Sequence, residues 1–287
     1  MTKVLVTGAG GMLGSDLLAV LAATPSFTVT AARRADLDLT DPAAVAAAVP
    51  GHDVVINAAA WTDVDGAETA EDAATLLNGG AVASLASACA ASGARLLHVS
   101  TDYVLSGSAS SPYPESAPTA PINAYGRSKL VGEQAVLSLL PTSGYVVRTA
   151  WLYGEHGRNF AATMLRLAAS RETVDVVDDQ RGQPTWSLAL ARQLVALASS
   201  SAPAGVYHGT AAGETTWFGF AQAVFSLAGL DPERVRPTTS AAFVRPAARP
   251  AYSVLGHDRW AAAGLAPMAD WREALADAVS SGAVRAG

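Results

Sequence analysis

The sequence contains few residues that could cross-link the chain or bind a metal ion. Its 287 residues include one cysteine, Cys89, which excludes an internal disulfide and a cysteine-rich metal site. None of the five histidines shows the spacing of a helical zinc motif, in which two histidines stand four residues apart with a glutamate. Asp63, Asp65 and Glu68 are close together, but solvated or capping roles account for them. We therefore predict no protein-built catalytic metal site.

Charge is also sparse, and this limits the classes of partner. Charged residues make up 15% of the chain and the formal net charge is -6. Nucleic acids and anionic membranes both require a basic face, so neither is an expected partner. No apolar run reaches the ~20 residues of a membrane span, and the N-terminus lacks a signal-peptide pattern. With 50% hydrophobic residues, we expect a compact soluble protein of the cytoplasm.

In the first half of the chain, short β-branched runs alternate with alanine-rich stretches of helical character. This alternation is typical of a parallel sheet flanked by helices. The predicted strands are Val4–Thr7, Thr28–Ala32, Asp53–Asn57, Arg95–Ser100 and Tyr145–Thr149. The predicted helices between them are Gly11–Ala23, Pro42–Val49, Ala70–Ala91 and Ala124–Leu140. The fold class is therefore α/β, a Rossmann-type doubly wound parallel sheet, with ligands expected at the carboxyl ends of its strands.

After about Thr149 the alternation weakens and Trp, Pro and Gly become more frequent. We predict a dinucleotide-binding domain over residues 1–150. Residues 151–287 are then mainly a smaller substrate-binding lobe, with segments that return to the first domain. The Ser- and Pro-rich segment Leu105–Pro121 is predicted to be an exposed loop near the site.

A glycine loop, Gly8-Ala9-Gly10-Gly11-Met12-Leu13-Gly14, follows the first strand and opens the first helix. In this context Gly8 permits a tight turn, Gly11 lets the backbone approach a pyrophosphate, and Gly14 allows close helix packing. The positive end of the helix then faces the phosphates. An ordinary glycine turn is the alternative. We expect a nicotinamide dinucleotide here, in contact with Gly8, Gly11, Met12, Leu13 and Gly14.

The second strand ends in Ala31-Ala32-Arg33-Arg34, where an acidic residue would bind a ribose hydroxyl and arginine would accommodate a 2′-phosphate. Arg33 and Arg34 therefore favour NADPH, although NADH is possible. The alternative is that both arginines are merely solvated.

Tyr125 and Lys129 stand four residues apart on one face of a predicted helix. Ketone reduction needs a hydride and a proton, and a phenol whose pKa is lowered by a nearby ammonium can supply the proton. Thr101, at the end of the fourth strand, offers a hydroxyl to the developing alkoxide. Capping of the strand end is the other role open to Thr101. Asp102 is suited to bind sugar hydroxyls.

Several motifs together resemble the extended short-chain dehydrogenase/reductases, and more narrowly the dTDP-4-dehydrorhamnose reductase family with its antibiotic-sugar ketoreductase relatives. Beside the glycine loop and Tyr125–Lys129, the matching segments are Asn57-Ala58-Ala59-Ala60-Trp61-Thr62, Ser100-Thr101-Asp102-Tyr103-Val104, Arg148-Thr149-Ala150-Trp151-Leu152-Tyr153-Gly154, Val177-Asp178-Asp179-Gln180, Pro184-Thr185 and Arg249-Pro250-Ala251-Tyr252-Ser253-Val254-Leu255. The resemblance covers nearly the whole chain. It departs from the family pattern at Arg33 and Arg34, at Leu105-Ser106, and at Tyr252.

This resemblance implies a reductase of the C4 ketone in a dTDP-4-keto-6-deoxyhexose, with Tyr125 as general acid. Lys129 would bind the nicotinamide ribose and tune Tyr125, and Thr101 would polarise the carbonyl. Further cofactor contacts are implied for Asp38, Leu39, Ala58, Ala59, Ala60 and Thr62. Substrate contacts are implied for Thr101, Asp102, Tyr103, Tyr125 and Trp151, with Asn159 towards the nucleotide diphosphate.

Two other functions stay open at this stage. A nucleotide-sugar epimerase would recycle a retained cofactor, and a non-catalytic NADP-binding regulatory subunit would keep the same fold. A dehydratase is disfavoured because Tyr103 stands where its glutamate usually follows the Thr-Asp pair. The chain is expected to be a monomer or a homodimer.

Overall fold

The computed structural model describes residues 1–285. Its first part builds five strands and the helices between them. These elements are β1 (Thr2–Thr7), α1 (Met12–Ala22), β2 (Phe27–Ala32), α2 (Pro42–Ala48), β3 (Val54–Asn57), α3 (Val64–Ala67), α4 (Glu71–Thr75), α5 (Ala81–Ser92), β4 (Arg95–Thr101), α6 (Ala124–Leu139) and β5 (Gly144–Thr149). A π-helical turn, Leu76–Gly80, joins α4 to α5, and a 3-10 turn, Asp102–Val104, follows β4. The five predicted strands are confirmed.

The remaining elements are shorter and more mixed. They are β6 (Leu152–Tyr153), α7 (Phe160–Ser170), β7 (Val174–Val177), β8 (Arg181–Gly182), β9 (Thr185–Trp186), α8 (Ser187–Ser199), β10 (Gly205–His208), β11 (Thr215–Thr216), α9 (Trp217–Leu227), β12 (Val235–Thr238), α10 (Asp258–Ala262) and α11 (Trp271–Ser280), with a 3-10 turn at Pro232–Arg234.

The central sheet has six parallel strands in the order β10-β5-β4-β3-β1-β2. This confirms the predicted Rossmann-type α/β class. The chain runs from β1 to β2 on one side and from β3 to β5 on the other. That reversal opens a crevice at the carboxyl ends of β1 and β3, where ligands of such sheets collect.

Two apolar layers cover the faces of this sheet. On one face, Leu17 of α1 and Leu194 of α8 pack with Val6 and Val147. On the other face, residues of α2, α5 and α6 pack with alternate strand positions such as Leu5 and Val146. Cys89 is fully buried in α5. Because both faces are covered, the central strands are mostly apolar rather than alternating.

A third cluster of buried residues forms the smaller lobe. It joins α7, α9 and α11 to β7, β9 and β12, with Phe220, Phe225 and Trp271 at its centre. The lobe does not contain all residues after 150, because α8 packs on the central sheet and β10 is one of its strands. The division at residue 150 stays a prediction.

Two local expectations differ from the structure. The segment 105–121 is anchored rather than fully exposed: Leu105 and Tyr113 are buried, and the Tyr113 N–H donates to the Val254 carbonyl at 2.9 Å.

Against expectation, the helical stretch Glu71–Ser92 is long and apolar enough to cross a membrane by length and composition. In this fold it packs against α2 and α6 on the sheet, which explains its apolar character.

Candidate active site

The glycine loop connects β1 to α1 at the centre of the crevice. Gly8 has a φ of +70°, a left-handed conformation that side chains disfavour, and a Cβ there would lie 2.5 Å from the Ala59 nitrogen. A Cβ on Gly14 would overlap the Gly8 carbonyl oxygen. The Gly11 N–H donates to that same oxygen at 3.0 Å. The loop therefore lies directly against Ala58 and Ala59, which follow β3, and a glycine loop in this position is the typical site of a dinucleotide pyrophosphate.

A single cavity of about 1260 Å³ runs from the second strand across this loop to the start of α6. It is lined by 19 of the predicted site residues, namely Gly8, Gly11, Met12, Leu13, Gly14, Arg33, Arg34, Asp38, Leu39, Ala58, Ala59, Ala60, Thr62, Thr101, Asp102, Tyr103, Tyr125, Lys129 and Trp151. The volume exceeds that of most single small-molecule sites, about 300–1000 Å³, and suits two ligands bound end to end.

At one end of the cavity, the side chains of Arg33 and Arg34 are exposed. The aliphatic stem of Arg33 passes close to Gly10, where a Cβ would lie 3.7 Å from its Cγ. Asp38 accepts hydrogen bonds from the Thr40 hydroxyl and N–H, which lower the pKa of its carboxyl, and Arg34 lowers it further. No ion pair of the described residues occupies either arginine, so both guanidinium groups are free to bind an anion.

At the other end, three elements bring the proposed acid and its partners together. Asn123 caps α6 by accepting the Gly126 N–H at 2.8 Å. A Cβ on Gly126 would overlap the Tyr103 carbonyl oxygen, so glycine lets the first turn of α6 lie directly against the turn after β4. This contact places Tyr125 beside Thr101, and the Tyr125 and Tyr103 rings meet edge to face at 5.9 Å.

The structure corrects the predicted effect of Lys129 on the phenol. Burial, followed by the negative charge of Asp102, raises the pKa of Tyr125, and only Thr101 opposes this. The Lys129 Nζ donates to the Val99 carbonyl at 2.7 Å, and no hydrogen bond among residues 1–285 joins it to the Tyr125 phenol. Sequence spacing put both residues on one helix face but could not give the direction of a long side chain.

Thr101 and Asp102 form a buried polar pair at the end of β4. The Thr101 hydroxyl donates to the Asp102 carboxylate at 2.9 Å and accepts the Tyr103 N–H at 3.2 Å. To polarise a carbonyl, this hydroxyl must turn away from Asp102. Burial raises the pKa of Asp102 to about 6, with Ser253 and Thr101 opposing the change.

Trp151 is strained and stacked against a second tryptophan. It is the one non-glycine residue between 1 and 285 with positive φ, at 48°. Its ring lies parallel to that of Trp217, with centroids 3.7 Å apart, and a Cβ on Gly182 would lie 2.7 Å from its Cε2. Strain of this kind persists where surrounding contacts enforce it, and it is frequent at ligand sites.

One predicted residue lies elsewhere, and others were missed. The Asn159 side chain caps α7, accepting the Ala162 N–H and donating to the Gly154 carbonyl, both at 2.9 Å, and it does not line the cavity. Arg158 and Trp217 do line it, together with Trp61, Val64, Leu76 and Leu77. Only packing between segments far apart in the chain brings Trp217 there, so no local pattern could have identified it.

This fold and this site define the extended short-chain dehydrogenase/reductase class: a parallel Rossmann sheet with a glycine loop, and a tyrosine and lysine four apart beside a strand-end threonine. Within that class, residues 1–283 match the family model described as the RmlD substrate binding domain. The chain belongs to this family.

Curated relatives and a solved structure agree with that assignment. The chain is 54% identical to a dTDP-4-keto-6-deoxy-D-glucose reductase from Streptomyces niveus over 96% of this chain and 95% of that protein. It is 53% identical to a dTDP-4-dehydrorhamnose reductase from Streptomyces griseus, over 99% of this chain and 95% of the relative. A dTDP-4-dehydrorhamnose reductase from Bacillus anthracis, crystallised in complex with NADP, superposes with a TM-score of 0.93 at 37% identity, covering 98% of this chain and 100% of that one.

Proposed function

We propose that this protein is an NADPH-dependent reductase of the C4 ketone of a dTDP-4-keto-6-deoxyhexose. The observation that carries the proposal is the single cavity with the glycine loop at its centre, Arg33 and Arg34 at one end, and Thr101, Tyr125 and Lys129 at the other. The relatives named as reductases of dTDP-4-keto sugars support the substrate class, and the NADP complex supports the cofactor.

The chemistry follows from the positions of the side chains. The bound NADPH would supply the hydride. Tyr125 would give its phenolic proton to the sugar oxygen as negative charge develops there, the role of a general acid. Thr101 would donate its hydroxyl to the same oxygen, and Asp102 would accept from a sugar hydroxyl. The stacked pair Trp151 and Trp217 would close the cavity beside the sugar.

The direct test is loss of NADPH absorbance with dTDP-4-keto-6-deoxyglucose, with and without a 3,5-epimerase, followed by NMR of the product. Turnover that depends on the epimerase would identify a dTDP-4-dehydrorhamnose reductase. Turnover without it would identify a ketoreductase of a D-configured sugar. Tight NADPH binding with no NADPH oxidation in the presence of either sugar would contradict the proposal and favour the regulatory subunit. Sugar epimerisation without net NADPH loss would favour the epimerase. Cytoplasmic location and a monomeric or dimeric state remain predictions.

Cofactor preference should depend on Arg33 and Arg34. Replacing both by serine is expected to lower kcat/KM for NADPH by about ten- to a hundredfold, because a charged hydrogen bond to phosphate contributes about 1.5–3 kcal/mol. The value for NADH should stay nearly constant, since NADH lacks the 2′-phosphate. Initial rates with both cofactors measure the effect. Arg236→Ser, at an exposed arginine of β12, is the matched control, and an equal loss with NADH would contradict this assignment.

Reduction should have a bell-shaped pH dependence. Asp102, with a pKa of about 6, is a carboxylate only above that pH, and Lys129, with a pKa of about 8, is an ammonium only below its own. We expect kcat/KM to fall below about pH 6 and above about pH 8. Asp102→Asn should lose the acidic limb because the amide does not titrate there. An acidic limb that persists in Asp102→Asn would assign it to another group.

A further inference from the structure

A chain of buried polar side chains leads from the glycine loop to Lys129. Its members are Thr7, Asn57, His98 and Lys129, each no more than 1% exposed. They come from β1, β3, β4 and α6, so the chain crosses the sheet just below the cavity floor. Of these four residues, only Lys129 takes part in the proposed mechanism.

The orientation of Asn57 is set by a backbone donor. The Ala59 N–H and the Thr7 hydroxyl both donate to Asn57 Oδ1, at 3.1 Å and 2.7 Å. A backbone N–H can only donate, so the atom facing it must be the amide oxygen. The amide nitrogen of Asn57 consequently faces His98 Nδ1 at 3.0 Å.

The orientation of Asn57 in turn sets the tautomer of His98. An amide nitrogen can only donate, so His98 Nδ1 must accept and carries no proton. The proton of the neutral ring is then on Nε2, which lies 3.3 Å from Lys129 Nζ. A doubly protonated ring would place two donors against each other at Nδ1. Burial also lowers the pKa of His98, and the Lys129 charge lowers it further, so both effects keep the ring neutral.

We propose that His98 is a positioning residue that directs its Nε2–H at the Lys129 amine and thereby stabilises the neutral amine over the ammonium. An amine has a lone pair that accepts this hydrogen, whereas an ammonium has three donors and no acceptor. Lys129 keeps one hydrogen bond as donor, to the Val99 carbonyl, in either state.

Several elements packed near Lys129 carry charged groups. Burial lowers the pKa of Lys129 to about 8, and Glu133 of α6 opposes this. Arg148 of β5 pairs with Glu133 at 2.8 Å and offsets its charge. Asp102, after β4, lies on the Tyr125 side. Glu68 and Glu71 bond to the Ala124 N–H and to Arg127 at the start of α6.

This arrangement has a use in the proposed reaction. After Tyr125 gives up its proton, the phenolate must be reprotonated before the next turnover. Lys129, one helical turn away on α6, would serve as the proton source. A proton source is most effective when its pKa lies near the working pH. The role assigned to His98 in catalysis rests on the proposed function, but its effect on the protonation of Lys129 does not.

The sequence makes a direct measurement feasible, because Lys3 and Lys129 are its only lysines. Protein labelled with 13C at the lysine ε-carbon should show two lysine signals, and Lys3→Arg assigns them. In the wild type, the Lys129 signal should titrate near pH 8. In His98→Gln, whose amide oxygen can accept from an ammonium, the midpoint should rise by about one pH unit, a tenfold change in proton affinity.

The matched control is His208→Gln. His208 is equally buried, lies in β10, and bonds the Gly256 carbonyl rather than Lys129. The Lys129 midpoint should be unchanged in this variant. An unchanged midpoint in folded His98→Gln would overturn the proposal. Should that variant not fold, the tautomer of His98 in the wild-type protein provides the second test.

The wild-type protein provides a further test. Protein labelled with 15N-histidine should show His98 as the Nε2–H tautomer at all pH values at which the chain is folded, and the Nδ1–H tautomer would overturn the proposal. In the reductase assay, the alkaline limb should shift with the Lys129 midpoint. A shifted midpoint with no ketone reduction would reject the proposed function alone, while reduction with an unshifted midpoint would reject the role of His98 alone.

Discussion

Tyr125→Phe is expected to lower kcat for ketone reduction by about 10²- to 10⁴-fold, the contribution typical of a positioned general acid. The phenol oxygen is the group beside Thr101 that carries a transferable proton, and phenylalanine keeps the ring and its edge contact with Tyr103. The affinity for NADPH should therefore change little. Steady-state kinetics and cofactor titration by fluorescence measure the two quantities separately.

A suitable control removes a buried tyrosine hydroxyl away from the cavity. Tyr145 of β5 donates its hydroxyl to the Ala202 carbonyl at 2.8 Å. Tyr145→Phe should cost about 1 kcal/mol of stability, the usual net value of one hydrogen bond, and leave kcat unchanged. Near-native turnover by Tyr125→Phe would show that another group is the acid.

Glu133→Leu is expected to lower the free energy of unfolding by about 3–5 kcal/mol, because it leaves the Arg148 guanidinium buried without its counter-charge. Glu133 and Arg148 are 1% and 3% exposed, and two parallel hydrogen bonds of 2.8 Å and 3.0 Å join them. They tie the middle of α6 to β5 one turn beyond Lys129. Urea or thermal unfolding measures the loss.

The double variant Glu133→Leu with Arg148→Met separates charge from packing. It removes both buried charges and should recover most of the lost stability, as replacement of whole buried ion pairs often does. The exposed pair Glu71–Arg127 is the control, with side chains 41% and 45% exposed. Glu71→Gln should cost less than about 1 kcal/mol. A double variant no more stable than Glu133→Leu would show that shape rather than charge is decisive here.

The Rossmann fold and half of the cavity lining could be predicted, chiefly where the signals are local. The glycine loop, the strand-end threonine and the Tyr125–Lys129 pair each lie within one short segment. The carboxyl ends of parallel strands lie at one edge of the sheet. Side chains at the ends of β1, β3 and β4 were therefore expected to lie close together. The role of Asn159 was predicted by resemblance from a single residue, and its side chain caps α7 in the structure.

Long-range packing decided the remainder. Trp217 meets Trp151 although 66 positions separate them in the chain, and no periodicity records such a contact. The direction of the Lys129 amine also escaped prediction, because it depends on a hydrogen-bond chain through three strands. The spacing of residues in the sequence predicts which face of a helix a side chain occupies. The position of its terminal group and its pKa depend on the residues that surround it in the folded protein.

By itself, the sequence determined the fold class and the glycine loop, and it predicted Tyr125 and Lys129 as a pair on one helix face, since these depend on local backbone conformation and on residues within one short segment. The tertiary structure decided which groups control protonation at the site. Burial removes water from Asp102, Tyr125 and Lys129, and burial depends on segments drawn from the whole chain. Desolvation is a property of the assembled surroundings and is not encoded in any short segment.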